Sequence, residues 1–534
     1  MPTVAETVAA KLAEAGCRHA FGIPGGEVLV LMDALARAGV GFHLVKHENA
    51  GAFMAEGSWH VTGAPGVLVA TIGPGLANAM NAALNALQDQ APLIILSGGM
   101  DPASAETYTH QVTDQCALMA PVVKRSWRLS GGAVGAILEK AIATALADPQ
   151  GPVHLDLPVS LAGAEEPEAP SRIAAAAPMA PAPGPMLEAA RARLAQAERP
   201  VMVAGVGALA HGAETAAAET CRRYGMPLVT TYKAKGLLPE DDPLALGGHG
   251  LSPKSDALVL PLLAEADLVL TVGYDPIEMR AGWRDPWDRE RCVALDHLPN
   301  RHGMHGAALA FTGDVAAGLA ALTDGLAANR ETWPGGEPAR VRAALAEAFA
   351  GPGGWGAHDA IAAARRALPA HGVATADSGA HRILMSQMWR CPAPRTLLQS
   401  SGFCTMGVAL PLAMGVKTAA PETPVLAVMG DGGAEMVLGE FATLRDMNAG
   451  LVVLILVDES LALIELKQRR EGLGNLGVDF GATDWPAFAA AMGGHGVWAR
   501  DAETVEREVA AGLGRETFTL VAAVIGRGAY DGAF

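Results

Sequence analysis

Three doubly wound α/β domains, each built on a parallel sheet, are the architecture the sequence predicts. Two observations carry this. Short runs rich in Val, Ile and Leu ("PGVLVATIG", "APLIILSGG", "PVMVAGVG", "ADLVLTVG", "TPVLAVMG", "LVVLILVD") alternate with longer amphipathic segments. Runs apolar on both faces suit parallel strands covered by helices on either side. The second observation is the spacing of the breaks. "EEPEAPSRIAAAAPMAPAPGPM", 165–186, is rich in Pro and Ala, lacks apolar periodicity and reads as a linker. "ETWPGGEP", 331–338, and "GPGGWGAHD", near 351–359, form a second break. The cuts give 1–165, 186–330 and 355–534, each the size of a domain in a chain of 534 residues. No short-period repeat is visible.

Half of the residues are apolar, with 63 Gly, so a large core is available. No apolar run reaches the length of about 18 residues that a membrane span needs. The opening "MPTVAETVAAKLAEAG" carries Glu6 and Glu14 early and lacks a basic start followed by an apolar block, so no signal peptide is expected. Six cysteines (17, 116, 221, 292, 391, 404) are scattered without CxxC pairs. They predict reduced thiols in a cytoplasmic protein and no cysteine metal site. The net charge of −17 disfavours nucleic acid or an anionic membrane as partner. An anionic ligand would need local compensation by a metal ion, a helix N-terminus or a few basic side chains.

In the middle domain Gly205-Val206-Gly207 follows a strand, but no third glycine stands at dinucleotide-fold spacing. A strand-to-helix turn is the simpler reading there. The stretch "VLAVMGDGGAEM", 425–436, is more informative, because its apolar run ends in Gly430-Asp431-Gly432-Gly433. "TPVLAVMG" reads as a strand, "AEMVLGEFATLRDMN" as a helix ended by Ala449-Gly450, and "LVVLILV" as the next strand. Such a βαβ unit makes its strands parallel. Asp431 and Asp458 then sit just past the carboxyl ends of two strands, along the edge where open α/β sheets bind ligands.

Two carboxylates placed together repel unless a cation lies between them, and a hard divalent ion with oxygen ligands is the natural candidate. Magnesium keeps one or two carboxylates and completes its shell with phosphate oxygens. The glycines let backbone N–H groups approach such a phosphate, and the following helix N-terminus favours it. The Lys-Ser/Thr of a P-loop is missing, which argues against a P-loop nucleotide hydrolase.

Gly-Asp-Gly, a helix, an apolar strand and an oxygen-bearing side chain after it resemble the signature of the thiamine diphosphate enzymes. That family usually has two asparagines at the second element; Val457 and Asp458 stand there and keep an oxygen ligand. The resemblance implies Mg²⁺ bound by Asp431, Asp458 and the backbone carbonyl of Ser460. A second, distant stretch, "VKHENAG…IILSGG" at 45–99, resembles the pyrimidine-binding domain of the acetolactate synthase group, with His47-Glu48, Gly73-Pro74-Gly75 and Asn78. The resemblance assigns Glu48 to N1′ of the aminopyrimidine, where a carboxylate tuned by burial activates the cofactor. It brings Pro24, Gly25, Thr71, Pro74 and Asn78 around the same ligand. "SSGFCTMGVALPLAMG", 400–415, resembles the segment that bends the cofactor. There Met406 is the wedge and the carbonyl of Cys404 accepts from the 4′-amino group. "ADSGAHRI", 376–383, resembles the Gly-Gln-His diphosphate segment, with Ala380 in place of Gln and His381 retained. Gly430, Gly432, Gly433, Leu461 and Ile464 complete the implied cofactor set.

"TMGVALP", "VDE" at 457–459 and "VGYDPIE" resemble the catabolic, FAD-independent acetolactate synthases. "THQVTDQCALMAPVVK", 109–124, resembles their His-Gln segment, placing Gln111 at the thiazolium and His110 on the substrate side. "RERCVALDHLPN" departs from the Asp-Ile-Asp-Pro of FAD-dependent members, which favours absence of FAD over its presence. "SLALIELKQ", 460–468, puts Leu461, Leu463, Ile464 and Lys467 where synthases carry other residues. Lys467 either pairs with a substrate carboxylate or lies on a solvated helix face. Glu48, Gln111 and Met406 form the implied catalytic set. The expected activity is decarboxylation of a small 2-oxo acid with carboligation. The alternatives are a decarboxylase without carboligation, another C–C lyase, hydrolase or acetyltransferase of the superfamily, and an inactive cofactor-binding homologue. The resemblance also implies a homodimer or homotetramer, with Glu48 and Asp431 of one site supplied by different chains.

Overall fold

Segments without a polar face become interior strands: Leu93–Gly99 and Val452–Val457 are buried at every position. A computed structural model describes residues 1–167, 177–210 and 212–534. Part of the linker expected at 165–186 therefore lies outside the described residues. In the first unit β1 (His19–Ile23), β2 (Gly41–Leu44), β3 (Gly66–Ala70), β4 (Leu93–Gly99), β5 (Arg125–Arg128) and β6 (Val153–Pro158) form a sheet ordered β2-β1-β3-β4-β6-β5. The central unit holds β7 (Pro200–Ala204), β8 (Leu228–Thr230), β9 (Ala245–Gly248), β10 (Leu268–Val272), β11 (Cys292–Asp296) and β12 (Leu309–Thr312), ordered β12-β11-β10-β7-β8-β9. The last contains β13 (Val373–Ala376), β14 (Leu397–Gln399), β15 (Val425–Gly430), β16 (Val452–Val457), β17 (His495–Ala499) and β18 (Thr519–Val524), ordered β14-β13-β15-β16-β18-β17.

All pairings within the three sheets are parallel, and helices flank them, so the chain has the three α/β units that its pattern predicts. The first and third sheets share one strand order; the central sheet has the dinucleotide-fold order. Strand order reverses between β1 and β3, between β13 and β15, and between β7 and β10. Crevices open at such switch points.

The first and third units are locked together. Helix Glu48–Thr62 packs along helix Ala409–Ala419. A Cβ on Gly57 would fall 2.2 Å from the Leu412 carbonyl oxygen, and one on Gly415 2.0 Å from that of Met54. Main chain therefore touches main chain, and one apolar cluster runs through both units, from Phe53 and Leu68 to Leu412 and Phe441.

The single helix expected after Gly433 is two: Asp431–Glu435 and Glu440–Met447, separated by a turn. The second begins where the Glu440 carboxylate accepts from Lys46 N (3.1 Å) of the first unit, a contact that no local pattern encodes. It ends at Asn448, in the left-handed region at φ 47°, before the expected Ala449-Gly450. All six cysteines are free. Among the described residues no helix is long and apolar enough to cross a membrane.

Candidate active site

A cavity of about 270 Å³ opens at the β13/β15 switch point. Its floor is Gly430–Gly433 with Asp458 and Ser460; Ser378 to Ile383 form one side, and Cys404 and Met406 another. Leu461 and Ile464 close it above, Leu251 and Arg280 reach in from the central unit, and Tyr530 comes from the chain end.

Parallel pairing sets Gly430 opposite Leu456, which brings Asp431 beside the turn after β16. Its Oδ2 accepts from the backbone N–H of Asp458 (3.1 Å) and Glu459 (2.7 Å), and its Oδ1 from Gly432 (2.9 Å). Burial pushes the Asp431 carboxyl up against the pull of these amides. Burial and then the Asp431 charge push Asp458 up to about 8. Two buried acids in contact with one cavity cannot both ionise cheaply without a cation. Among the described residues no group of three or more His, Cys, Asp or Glu side chains could hold a metal ion. The carboxylate pair thus suits an ion that takes its other ligands from backbone and phosphate, as Mg²⁺ does.

Two buried polar atoms in the same wall, Ser378 Oγ and His381 Nε2, have no hydrogen-bond partner among the described residues. Burial, followed by the Arg382 charge, pushes His381 down to about 4, leaving a neutral ring in the cavity wall. The glycines of the floor differ in what they admit. A Cβ on Gly433 would lie 2.0 Å from Asp377 Oδ2, whereas one on Gly430 would be 3.5 Å from His381 Cε1. Asp377 in turn accepts from Gly407 N (3.0 Å) and Val408 N (2.9 Å), fixing the turn that presents Met406. Orphaned polar atoms, a glycine-rich turn and a paired acidic floor fit a metal-held diphosphate.

At the other end Cys404 adopts φ 55°, a left-handed conformation rare outside glycine. Its N–H donates to Ser400 Oγ (2.9 Å), and Arg382 Nη2 lies 3.4 Å from its sulfur. Arg382 Nη1 also donates to Glu278 Oε1 (2.8 Å) of the central unit and to the Ser400 carbonyl (2.9 Å).

The N-terminal candidates gather at the β1/β3 switch point instead. Glu48, 4% exposed, accepts from Asn78 Nδ2 at 2.9 Å, and Thr71 Oγ1 donates to Glu27 Oε2 at 2.7 Å. Gly25 packs on Thr71, and Gly73 on the carbonyl of Gln111, itself at φ 58°. Pro24, Pro74, Asn78, His110 and Gln111 are exposed. None of this group lines the cavity described above. The nearest link is Asn81 Nδ2, which donates to Thr405 Oγ1 (3.2 Å), between Cys404 and Met406. Lys467 stands on the exposed face of helix Ala462–Arg470, outside the cavity wall.

Sequence reasoning missed Glu27, Leu251, Arg280, Arg382 and Tyr530. Glu27 follows two glycines at a strand end and Arg382 directly follows His381, signals that were available; Leu251 and Arg280 reach the site from the central unit and Tyr530 from the chain end. At the central switch point the chain packs closely on itself. A Cβ on Gly207 would meet Gly273 Cα and His297 Nδ1 at 2.8 Å, and Gly207 N already donates to the Gly273 carbonyl (3.0 Å).

Three family models match in chain order: the N-terminal TPP binding domain of thiamine pyrophosphate enzymes over residues 2–118, their central domain over 187–322, and their C-terminal TPP binding domain over 377–523. These matches, with the three sheets, define a three-domain thiamine pyrophosphate enzyme. A probable 2-ketoarginine decarboxylase of Pseudomonas aeruginosa is 32% identical, the alignment covering 97% of this chain and 93% of the relative. An acetolactate synthase of Bacillus subtilis is 29% identical (92% and 88%), and the isozyme 3 large subunit of Escherichia coli acetolactate synthase 28% (86% and 83%). The chain belongs to the thiamine diphosphate-dependent, acetolactate synthase-like family of 2-oxo acid enzymes.

Proposed function

We propose that this protein is a thiamine diphosphate- and Mg²⁺-dependent enzyme that decarboxylates a 2-oxo acid and joins the remaining fragment to an acceptor carbonyl. The observation that carries the proposal is the buried Asp431–Asp458 pair at one end of a cavity whose other end is Met406 and Cys404. The bound cofactor supplies a thiazolium carbon acid, the nucleophile for the 2-oxo group and the electron sink for loss of CO₂. Asp431, Asp458 and the Ser460 carbonyl would hold the metal; Ser378 and His381 offer the diphosphate polar partners. Met406 would keep the rings bent. Glu48 would hold a proton at the pyrimidine N1′, with Asn78 fixing its carboxylate.

Glu48, His110 and Gln111 do not line the cavity of their own chain, so a second copy is needed to supply them, as a homodimer or a homotetramer built from such pairs. Arg280 enters the cavity beside Cys404 without a hydrogen-bonded or ionic partner among the described residues. It suits a carboxylate on donor or acceptor, which supports carboligation between two oxo acids. The Pseudomonas relative's name supports a second reading, decarboxylation without carboligation.

The test is CO₂ release across a panel of 2-oxo acids with thiamine diphosphate and Mg²⁺, with product analysis for pyruvate alone and with a second oxo acid. A 2-hydroxy-3-oxo acid product supports carboligation, and an aldehyde the second reading. Glu48→Gln should abolish turnover; full activity in that variant, or no CO₂ from any substrate, overturns the assignment.

A further inference from the structure

The last ten residues, which follow β18, fold back over the third unit. Ile525 N donates to the Val457 carbonyl (3.0 Å), one residue before Asp458. Asp531 is held by both Nη atoms of Arg469 (2.7 and 2.8 Å), and Lys254 Nζ of the central unit donates to the Gly532 carbonyl (3.2 Å). Between these anchors lies Tyr530, 5% exposed, its ring packed among Ile525, Ala533 and the apolar face of β16. Tyr530 also lines the cavity next to Asp431, Asp458 and Ser378. Its hydroxyl has no hydrogen-bond partner among the described residues. A phenol in the wall of a cavity, facing two carboxylates that it does not bond, is a donor placed for something that arrives later.

We propose that Tyr530 is a ligand of the cofactor's diphosphate, its O–H donating to a phosphate oxygen, and that the C-terminal strap is thereby part of the cofactor site. The inference rests on assigning this cavity to thiamine diphosphate. A cation between Asp431 and Asp458 occupies the carboxylates, so the acceptor that remains for the phenol is a phosphate oxygen carried in with the metal. The strap anchors fix the ring from both sides, so the donor is ordered before the ligand binds and little entropy opposes the bond.

The experiment is calorimetric titration of the cofactor-free, full-length protein with two probes, thiamine diphosphate and inorganic pyrophosphate, each with Mg²⁺. A hydrogen bond to a charged acceptor corresponds to about ten- to a hundredfold in affinity. Tyr530→Phe, which keeps the ring, should weaken both probes by a similar factor in that range. Met406→Ala, at the ring end, should weaken thiamine diphosphate and leave pyrophosphate unchanged. Tyr530→Met, a second apolar replacement, should reproduce the loss. Wild-type affinities for both probes in Tyr530→Phe overturn the role of Tyr530 alone. Absence of heat with either probe in the unmodified protein overturns the cofactor assignment and this inference with it.

Discussion

Alanine at position 433, Gly433→Ala, would set a methyl group 2.0 Å from Asp377 Oδ2, far inside the contact distance of about 3.3 Å. Asp377 cannot step aside freely: its carboxylate is fully buried and accepts from Gly407 N and Val408 N at 3.0 and 2.9 Å. Giving up one such bond costs about 1.5–3 kcal/mol, and giving up both about 3–5 kcal/mol. The neighbouring floor glycines are the internal standard. Gly432→Ala meets only Leu461 Cδ2 at 3.0 Å and Phe480 Cζ at 3.4 Å, ends of side chains that can turn. Gly430→Ala meets the His381 ring at an ordinary 3.5 Å. None of the three has a positive φ, so backbone strain does not distinguish them. Thermal unfolding of the three cofactor-free variants should therefore rank Gly433→Ala far below Gly432→Ala, with Gly430→Ala close to the unmodified protein. Because Asp377 holds the turn that follows Met406, Gly433→Ala should also lose cofactor affinity by at least about tenfold. A Gly433→Ala protein that unfolds within about one degree of Gly430→Ala would refute the argument.

Three further outcomes are expected. Asp458→Asn removes the repulsion with Asp431, so it should raise the Tm of the metal-free protein while abolishing any Tm increase on adding Mg²⁺ with pyrophosphate; a lowered metal-free Tm contradicts this. His154, bonded to Ser97 and Ser126, is pushed down to about 3 by burial and then by the Arg128 charge. Its folded pKa lies below its unfolded value, so the stability it contributes is complete above about pH 6.5 and is lost as pH falls, by about 1.4 kcal/mol per unit. Urea titrations at pH 7 and pH 4.5 should show His154→Gln losing less stability on acidification than the unmodified protein; equal losses exclude this role. Arg280→Met should raise KM for the 2-oxo acid about fivefold, a modest factor because Arg280 is exposed, with kcat little changed. An unchanged KM would remove Arg280 from substrate recognition.

Much of the third unit was legible because its signals are local. An apolar run ending in Gly-Asp-Gly-Gly dictates a strand, a tight exit and a carboxylate at the sheet edge, and β15 delivers Asp431 there. His381, Cys404 and Met406 were reached through resemblance, and all three line the same cavity. What stayed hidden depends on contacts between distant segments. The helix after Asp431 breaks because Glu440 answers Lys46, 394 residues away. Arg280 and Leu251 belong to the central unit, and nothing in their neighbourhoods announces a role elsewhere. Tyr530 lies in a glycine-rich stretch, "GRGAYDGAF", whose three left-handed glycines, 526, 528 and 532, turn the strap back toward the cavity.

Gly57 and Gly415 leave no clearance between their helices, so neither end of the chain can pivot against the other without prising apart carbonyls already in contact. Hybrids spliced from two relatives would inherit this restriction. Residues 48–62 and 409–419 would have to come from the same parent, and so would Gly236 of the central unit and Ala393, whose carbonyl oxygen a Cβ at 236 would approach to 2.2 Å.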